Sequence, residues 1–398
     1  MINYSKPSDW HSRRIKNISK KITAGATPNT KVQEYWEGGD IPWMSSGEVN
    51  NRFIYRTEKY ITKKGFEKSS TSVVPLQSVL MGLAGQGKTR GKVAINYIEL
   101  TTNQSLASIT PTSEINPQFL FFNLDSRYKE LRRLSTGEGG RGGLNLQIIK
   151  TLKVDYPANI KEQEKIAKIL LTWEEAISLK QEIIEKYTLY KKAYQQIIYR
   201  GELKVNNHKF EKTRLRNYLS EVKTKNKDDE IQTVLSVTNS KGFVLQSDQF
   251  GKTVASKNLK GYKIVSKNQF AFNPSRINVG SVSILEEFEH GLLSPMYVVF
   301  KAKDNIDKKY LFHYIKSSEF VRRIPSYVQG SVRDSLSFDA MKAMPIYLTD
   351  IRFQEQIANL FDKIDEAIKL HQDELVYIMD QKNGLMQQLL TGKIRVQC

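Results

Sequence analysis

The chain repeats a long segment of itself. NIKEQEKIAKILLTWEEAISLKQEIIEKYTLYKKAYQQIIYRGELKV, from Asn159 to Val205, aligns without a gap on DIRFQEQIANLFDKIDEAIKLHQDELVYIMDQKNGLMQQLLTGKIRV, from Asp350 to Val396, at a constant offset of 191 residues. Gln163-Glu164 falls on Gln354-Glu355, Glu175-Ala176-Ile177 on Glu366-Ala367-Ile368, and Gly201 on Gly392. Within each copy the apolar residues keep to one narrow stripe of a helix. They are Ile166, Leu170, Trp173, Ile177, Ile184, Tyr187, Tyr194 and Ile198 in the first, and Ile357, Phe361, Ile364, Ile368, Leu375, Ile378, Leu385 and Leu389 in the second. A helix over residues 163–199 would span about 55 Å at 1.5 Å per residue, which is a spacer rather than a core helix. A stripe of that length needs a partner, and each copy offers the other, packed antiparallel as a coiled coil. Lys180 and His371, then Lys191 and Lys382, interrupt the stripes at matching places, as polar seam residues that fix register do. Gly201 and Gly392 suit left-handed helix stops. Gly384, inside the second helix, costs it about 1 kcal/mol.

The segments ahead of the helices repeat more faintly. DWHSRRIKNI (9–18) corresponds to KTRLRNYL (212–219), and SSTSVVPLQSVLMGLAGQGKTRGKVAI to NLKGYKIVSKNQFAFNPSRINVGSVSI. GEGGRGGLNL (137–146) and GSVRDSLSF (330–338) close each segment. The expected organisation is a globular segment 1–158, a central long helix 159–200, a second globular segment 201–348, a distal long helix 349–391 and a tail 392–398. This is an α+β chain: two globular α/β segments separated by a pair of long antiparallel coiled-coil helices, with pseudo-two-fold internal symmetry.

Charge narrows the partner. Among 398 residues, 61 lysines and arginines face 42 acidic residues, a formal charge of +19. An anionic partner is expected, and nucleic acid is the commonest. The one cysteine, Cys398, excludes an intrachain disulfide and any cysteine-based metal site. With no apolar signal core in MINYSKPSDWHSRR and no apolar run near the roughly 18 residues a bilayer needs, a cytoplasmic chain without membrane contact is expected.

Several stretches resemble the specificity subunits of type I restriction-modification systems: TAGATPNTKVQEYWEGGDIPWMSSGEV (23–49), TTNQSL (101–106), EQEKIAKIL with its repeat FQEQIANLF, and YKIVSKNQFAFNPSRINVGSV through LLSPMYVVF. The resemblance covers essentially the whole chain. It implies that the globular segments are target recognition domains, each reading half of an asymmetric bipartite sequence in double-stranded DNA. It implies that the helices dock two methyltransferase subunits, that restriction subunits join through the complex, and that the chain itself catalyses nothing. No cofactor is then expected in this chain; S-adenosylmethionine, ATP and magnesium belong to the partner subunits.

Gly82 to Thr89, GLAGQGKT, matches the phosphate-binding pattern G-x-x-x-x-G-K-S/T. Such a loop works by feeding a helix whose N-terminal amides face the phosphates. Here Arg90-Gly91-Lys92 leads instead into alternating Val93, Ile95 and Tyr97, which predicts a strand. The expectation is a basic loop lying on a DNA backbone, with Gln86, Lys88, Thr89, Arg90 and Lys92 as candidate contacts. A nucleotide-binding protein using Lys88, or a stand-alone coiled-coil DNA-bridging protein, are the alternatives. FNPSR (272–276) has serine where the Asn-Pro-Pro-Tyr signature of adenine methyltransferases has its second proline. It reads as a second recognition loop, with Asn273, Ser275, Arg276 and Asn278 as candidates. Arg141, Ser331 and Arg333 in the closing loops complete the set. Trp36, Trp43 and Tyr35 could stack on bases but more simply serve packing. The five histidines show no zinc spacing.

Overall fold

Val79, Met81, Val93, Ile95, Ala107 and Ile109 are buried in one core, while their chain neighbours Leu80, Ala94 and Leu106 are buried in another. Strands that hide both faces must be covered on both sides, which explains their nearly unbroken apolar runs. The computed structural model describes residues 7–85, 88–135, 143–205, 208–250, 258–328 and 335–397. It divides into two units, Met1–Lys180 with Glu374–Cys398, and Gln181–Asp373.

In the first unit the main sheet runs Ser19–Ala24, Leu106–Pro111, Val79–Gly82, Val93–Asn96, Phe53–Ile54. Its pairs are antiparallel except the last. Helix Pro117–Ser126 covers one face with Phe119, Leu120, Phe121 and Phe122. A smaller sheet, Lys59–Ile61, Ile41–Met44 and Thr101–Thr102, belongs to the other side. Trp10–Arg14 pairs with Lys153–Pro157, joining the start of the globular part to its end.

The second unit repeats this plan. Leu219–Val222, Val298–Ala302, Phe270–Phe272 and Val282–Ile284 lie in the same spatial order as the first four strands above. Glu211–Arg214 pairs with Pro345–Leu348 as Trp10–Arg14 does with Lys153–Pro157. The faint repeat ahead of the long helices is thus a repeat of topology.

The two long helices are Ile160–Tyr199 and Ile351–Leu390, 40 residues each, and the second runs through Gly384 without a break. In the first unit Lys180 meets Glu374 at 2.7 Å and Lys382 bonds Glu174. In the second, Lys191 meets Asp365 at 2.5 Å and the Tyr187 ring lies 5.7 Å from that of His371. In each unit, as one helix is followed forwards its partners run backwards, so the pairing is antiparallel. Lys191–Asp365 and Glu174–Lys382 are also repeat equivalents, shifted by the same 191 residues. The seam lysines are therefore neutralised from the opposing helix, which makes their burial tolerable.

The stripe is narrower than expected at one end. Tyr187 and Tyr194 are 38% and 49% exposed, whereas Gln195 is only 7% exposed. A heptad repeat on a straight helix lags by about 20° per turn of the pattern, and by Tyr194 the buried line has moved to Lys191, Gln195 and Ile198. Both helices end as expected. Gly201 and Gly392 each have φ +72°, and Glu202 N–H reaches Ile197 O (2.9 Å) as Lys393 N–H reaches Gln388 O (3.0 Å).

The repeated Gln-Glu motif has a structural task. Gln163 is fully buried; its Oε1 accepts from Asn116 N–H (2.8 Å) and its Nε2 donates to Pro157 O (2.8 Å) and Glu114 O (3.1 Å). Gln354 accepts from Asp307 N–H (3.0 Å) and donates to Thr349 O (2.7 Å). Asn116 and Asp307 cap the helices Pro117–Ser126 and Lys308–Lys316. Each glutamine therefore locks a long helix to its own globular part.

Candidate nucleic-acid interface

The phosphate-loop pattern begins on the last residue of one strand and runs into another. Gly82 N–H donates to Lys92 O and Gly91 N–H to Gly82 O, both at 2.9 Å, so residues 83–92 are the connection of a hairpin between Val79–Gly82 and Val93–Asn96. No helix follows to aim its amides at a phosphate. The Thr89 hydroxyl, which would have to hold magnesium, donates to Ala84 O at 2.7 Å. It occupies the place a Cβ on Gly85 would need, 2.0 Å away, and Gly85 itself has φ +98°. Nucleotide binding through Lys88 has no support in this geometry.

Of the loop's candidates, Thr89 and Arg90 are 7% and 8% exposed, and Arg90 turns its guanidinium back toward Ser135 O. They shape the loop from inside, contrary to the expectation of outward contacts. Lys88 is exposed, and Lys92, half-buried, extends to Asn50 Oδ1 at 2.6 Å. Gln86 and Arg141 lie outside the described residues, as do Ser331 and Arg333 of the second unit.

The corresponding hairpin of the second unit joins Phe270–Phe272 to Val282–Ile284. Asn273, 8% exposed, spends its side-chain oxygen on Ser275 N–H (3.0 Å), folding the turn instead of facing solvent. Ser275, Arg276 and Asn278 are exposed. Gly280, with φ +88°, lets the chain turn back into the strand.

Both hairpins join the third and fourth strands of equivalent sheets, and a corresponding segment meets each. In the first unit Leu83 N–H donates to Ser105 O (2.8 Å), Thr27 Oγ1 to Gln104 Oε1 (2.6 Å) and Leu144 N–H to Leu83 O (3.1 Å). In the second, Leu336 N–H donates to Pro274 O (3.0 Å). Leu144 and Leu336 sit shortly after the glycine- and arginine-bearing stretches, so in both units that part of the chain returns to the hairpin. The sequence carries no mark for Thr27, or for Val279, which is 58% exposed in the second hairpin. Nor does it single out a group of cations on the second unit: Lys223, Lys225 and Lys263. Burial first, and then Lys223 and Lys225, hold the Lys263 ammonium below its usual 10.5, outweighing Glu221. Its Nζ donates to Tyr297 O at 2.5 Å. The signal for these was only the spacing of lysines in KTKNK and GYKIV.

Among the described residues no group of three or more histidines, cysteines or carboxylates could hold a metal ion. None of the helices there is long and apolar enough to cross a membrane.

Comparison with known proteins agrees on one family. Residues 7–188 and 203–378 each match the type I restriction modification DNA specificity domain. The specificity subunit of the type I restriction enzyme MjaIX from Methanocaldococcus jannaschii is 25% identical over 421 aligned positions, covering 98% of this chain and 95% of that one. The EcoR124I/EcoR124II specificity subunit of Escherichia coli is 28% identical over 154 positions, 38% of this chain and 37% of its own. In fold, the chain is similar to the crystal structure of a type I restriction-modification S subunit from M. genitalium (TM-score 0.59, 13% identity, 98% and 97% covered). A second similar chain, from a study of type I system assembly and conformational transition, has TM-score 0.60 at 11% identity, with 98% and 100% covered.

Proposed function

Since the chain belongs to the type I restriction modification DNA specificity domain family, we propose that it is the DNA-reading subunit of a type I restriction-modification complex and catalyses nothing itself. Residues 1–158 and 201–348 serve as target recognition domains. Each reads one half of a split sequence in duplex DNA through the hairpin between its third and fourth sheet strands. Lys88 and Lys92 lie along phosphates in the first domain; Ser275, Arg276 and Asn278 address backbone and base edges in the second. Because the hairpins differ in sequence, the half-sites differ. The long helices present Leu179, Leu189, Tyr190, Leu370, Val376 and Tyr377, all more than half exposed. Such apolar surface suits two methyltransferase subunits, with restriction subunits joining through the complex in the cytoplasm. S-adenosylmethionine, ATP and magnesium act on those partners.

The observation that carries this reading is the recurrence of one hairpin, between the third and fourth strands of equivalent sheets, bearing exposed cations in both units. Its test is duplex binding by the chain assembled with its methyltransferase partners, measured across salt concentrations. Steep weakening with salt is expected, and Lys88→Ala should lower the slope by about one while weakening all sequences alike. An affinity indifferent to salt refutes the proposal.

A further inference from the structure

The first unit has a cleft of about 410 Å³ that no part of the recognition reading uses, lined by Thr30, Trp36, Trp43, Lys59 and Tyr60. That volume is within the roughly 300–1,000 Å³ of small-molecule sites. The Trp36 and Trp43 rings meet edge to face, with centroids 5.0 Å apart at 87°. Both indole N–H groups are already used: Trp36 Nε1 donates to Asn29 O (3.2 Å) and Trp43 Nε1 to Ala26 O (3.0 Å). Trp43, 5% exposed, backs the cleft, so the half-buried Trp36 ring offers carbon surface there and not hydrogen bonds. Tyr60 is 40% exposed at the rim.

The cleft is preformed. Thr62 donates its N–H to Tyr35 O (3.0 Å) and its hydroxyl to Glu34 O (2.7 Å), and Lys64 bonds Glu34. A Cβ on Gly65 would lie 2.6 Å from Tyr35 O, so the segment carrying Trp36 is pressed against the following helical turn. The cleft's wall is tied to the neighbours of the recognition hairpin. Trp43 is hydrogen-bonded to Ala26, Thr27 to Gln104, and Leu83 to Ser105, three bonds between segments adjacent in sequence.

Its chemistry selects the occupant. The Lys59 ammonium lies over the Trp36 ring, 5.9 Å from its centroid, on an exposed side chain that can swing aside to a phosphate; its charge opposes a cationic guest and favours a ring attached to phosphate. A nucleobase meets both conditions, and every base has a π-face to stack. Bases stacked in a duplex have no free face. One is released where a base is extruded or loses its partner, as base-modifying enzymes require.

We infer that the Trp36–Trp43–Tyr60 cleft stacks a single unpaired nucleobase, with Lys59 on its flanking phosphate. This rests on the DNA-recognition reading above and adds a second mode of contact to the first domain. The test uses the full chain in its methyltransferase complex and duplexes carrying one unpaired 2-aminopurine, walked base by base through the target. The expected result is fluorescence quenching at one position. Trp36→Ala should abolish the quenching and cut the preference for that duplex over the fully paired one by about fivefold to a hundredfold. Tyr60→Ala should act in the same direction, Trp36→Phe should retain most of the quenching, and Lys88→Ala should weaken both duplexes alike. Quenching at no position while the paired duplex still binds, or quenching unchanged in Trp36→Ala and Tyr60→Ala, overturns the inference. Failure to bind either duplex overturns the recognition reading itself.

Discussion

Gln163→Ala should be among the most damaging single substitutions away from the apolar core. The side chain makes three hydrogen bonds in a site with no solvent exposure, to Asn116 N–H, Pro157 O and Glu114 O. Truncation leaves the Asn116 amide and the Pro157 and Glu114 carbonyls without that partner. Each orphaned buried group costs about 1–3 kcal/mol, and the carbonyls fall toward the low end because each has a second lone pair. The expected loss is therefore about 3–4 kcal/mol. For a domain of 150–250 residues, each kcal/mol lowers the melting temperature by about 2–4 °C, so a fall of about 6–16 °C is expected for the first unit. Gln354→Ala, which breaks two bonds rather than three, should cost the second unit less, about 2–3 kcal/mol. Glu164→Ala, next door and exposed, is the control and should stay within about 0.5 kcal/mol. Differential scanning calorimetry of the full chain reads all three. If Gln163→Ala melts like Glu164→Ala, the glutamine does not lock helix to domain, and the repeated motif needs another explanation.

Two further outcomes are expected. Burial, chiefly, and the Lys191 charge hold His313 below its usual 6.5, outweighing the hydrogen bond to Asp362. The unfolded chain then takes up a proton near pH 6.5 that the native imidazole refuses, so stability should be fully present above that pH and decline as pH falls below it; melting temperatures from pH 8 to 5 should show the decline, and His313→Phe should flatten it. A fragment ending at Leu203 should dimerise, because Lys191 of a second copy is the repeat equivalent of the missing Lys382 and can take its place beside Glu174; a fragment that sediments as a monomer at micromolar concentration contradicts the antiparallel pairing.

The long helices were legible because a narrow stripe, an exact offset and a matching glycine stop all report local geometry. The hairpin was legible for the same reason: Gly91 followed by Val93 and Ile95 has the period of a strand. Which loop side chains face outward was not. Thr89 fills the gap left by Gly85, and Asn273 folds its own turn, so both are held by neighbours that carry no periodic mark. Tyr194 yields its buried place to Gln195 through a slow drift of phase. The Trp36 cleft needs residues 30 to 60 brought to the hairpin's neighbours, which follows from the parallel pairing of Trp43 with Thr101. No pattern in either segment announces that pairing.

Mapping adenine methylation across the genome of cells carrying the complex tests the central claim most directly. The account predicts an asymmetric split motif with a fixed unspecified gap, and that Arg276→Ala relaxes positions in one half only while the other half and the gap stay unchanged. A motif unaltered by Arg276→Ala, or an unsplit symmetric one, would contradict it.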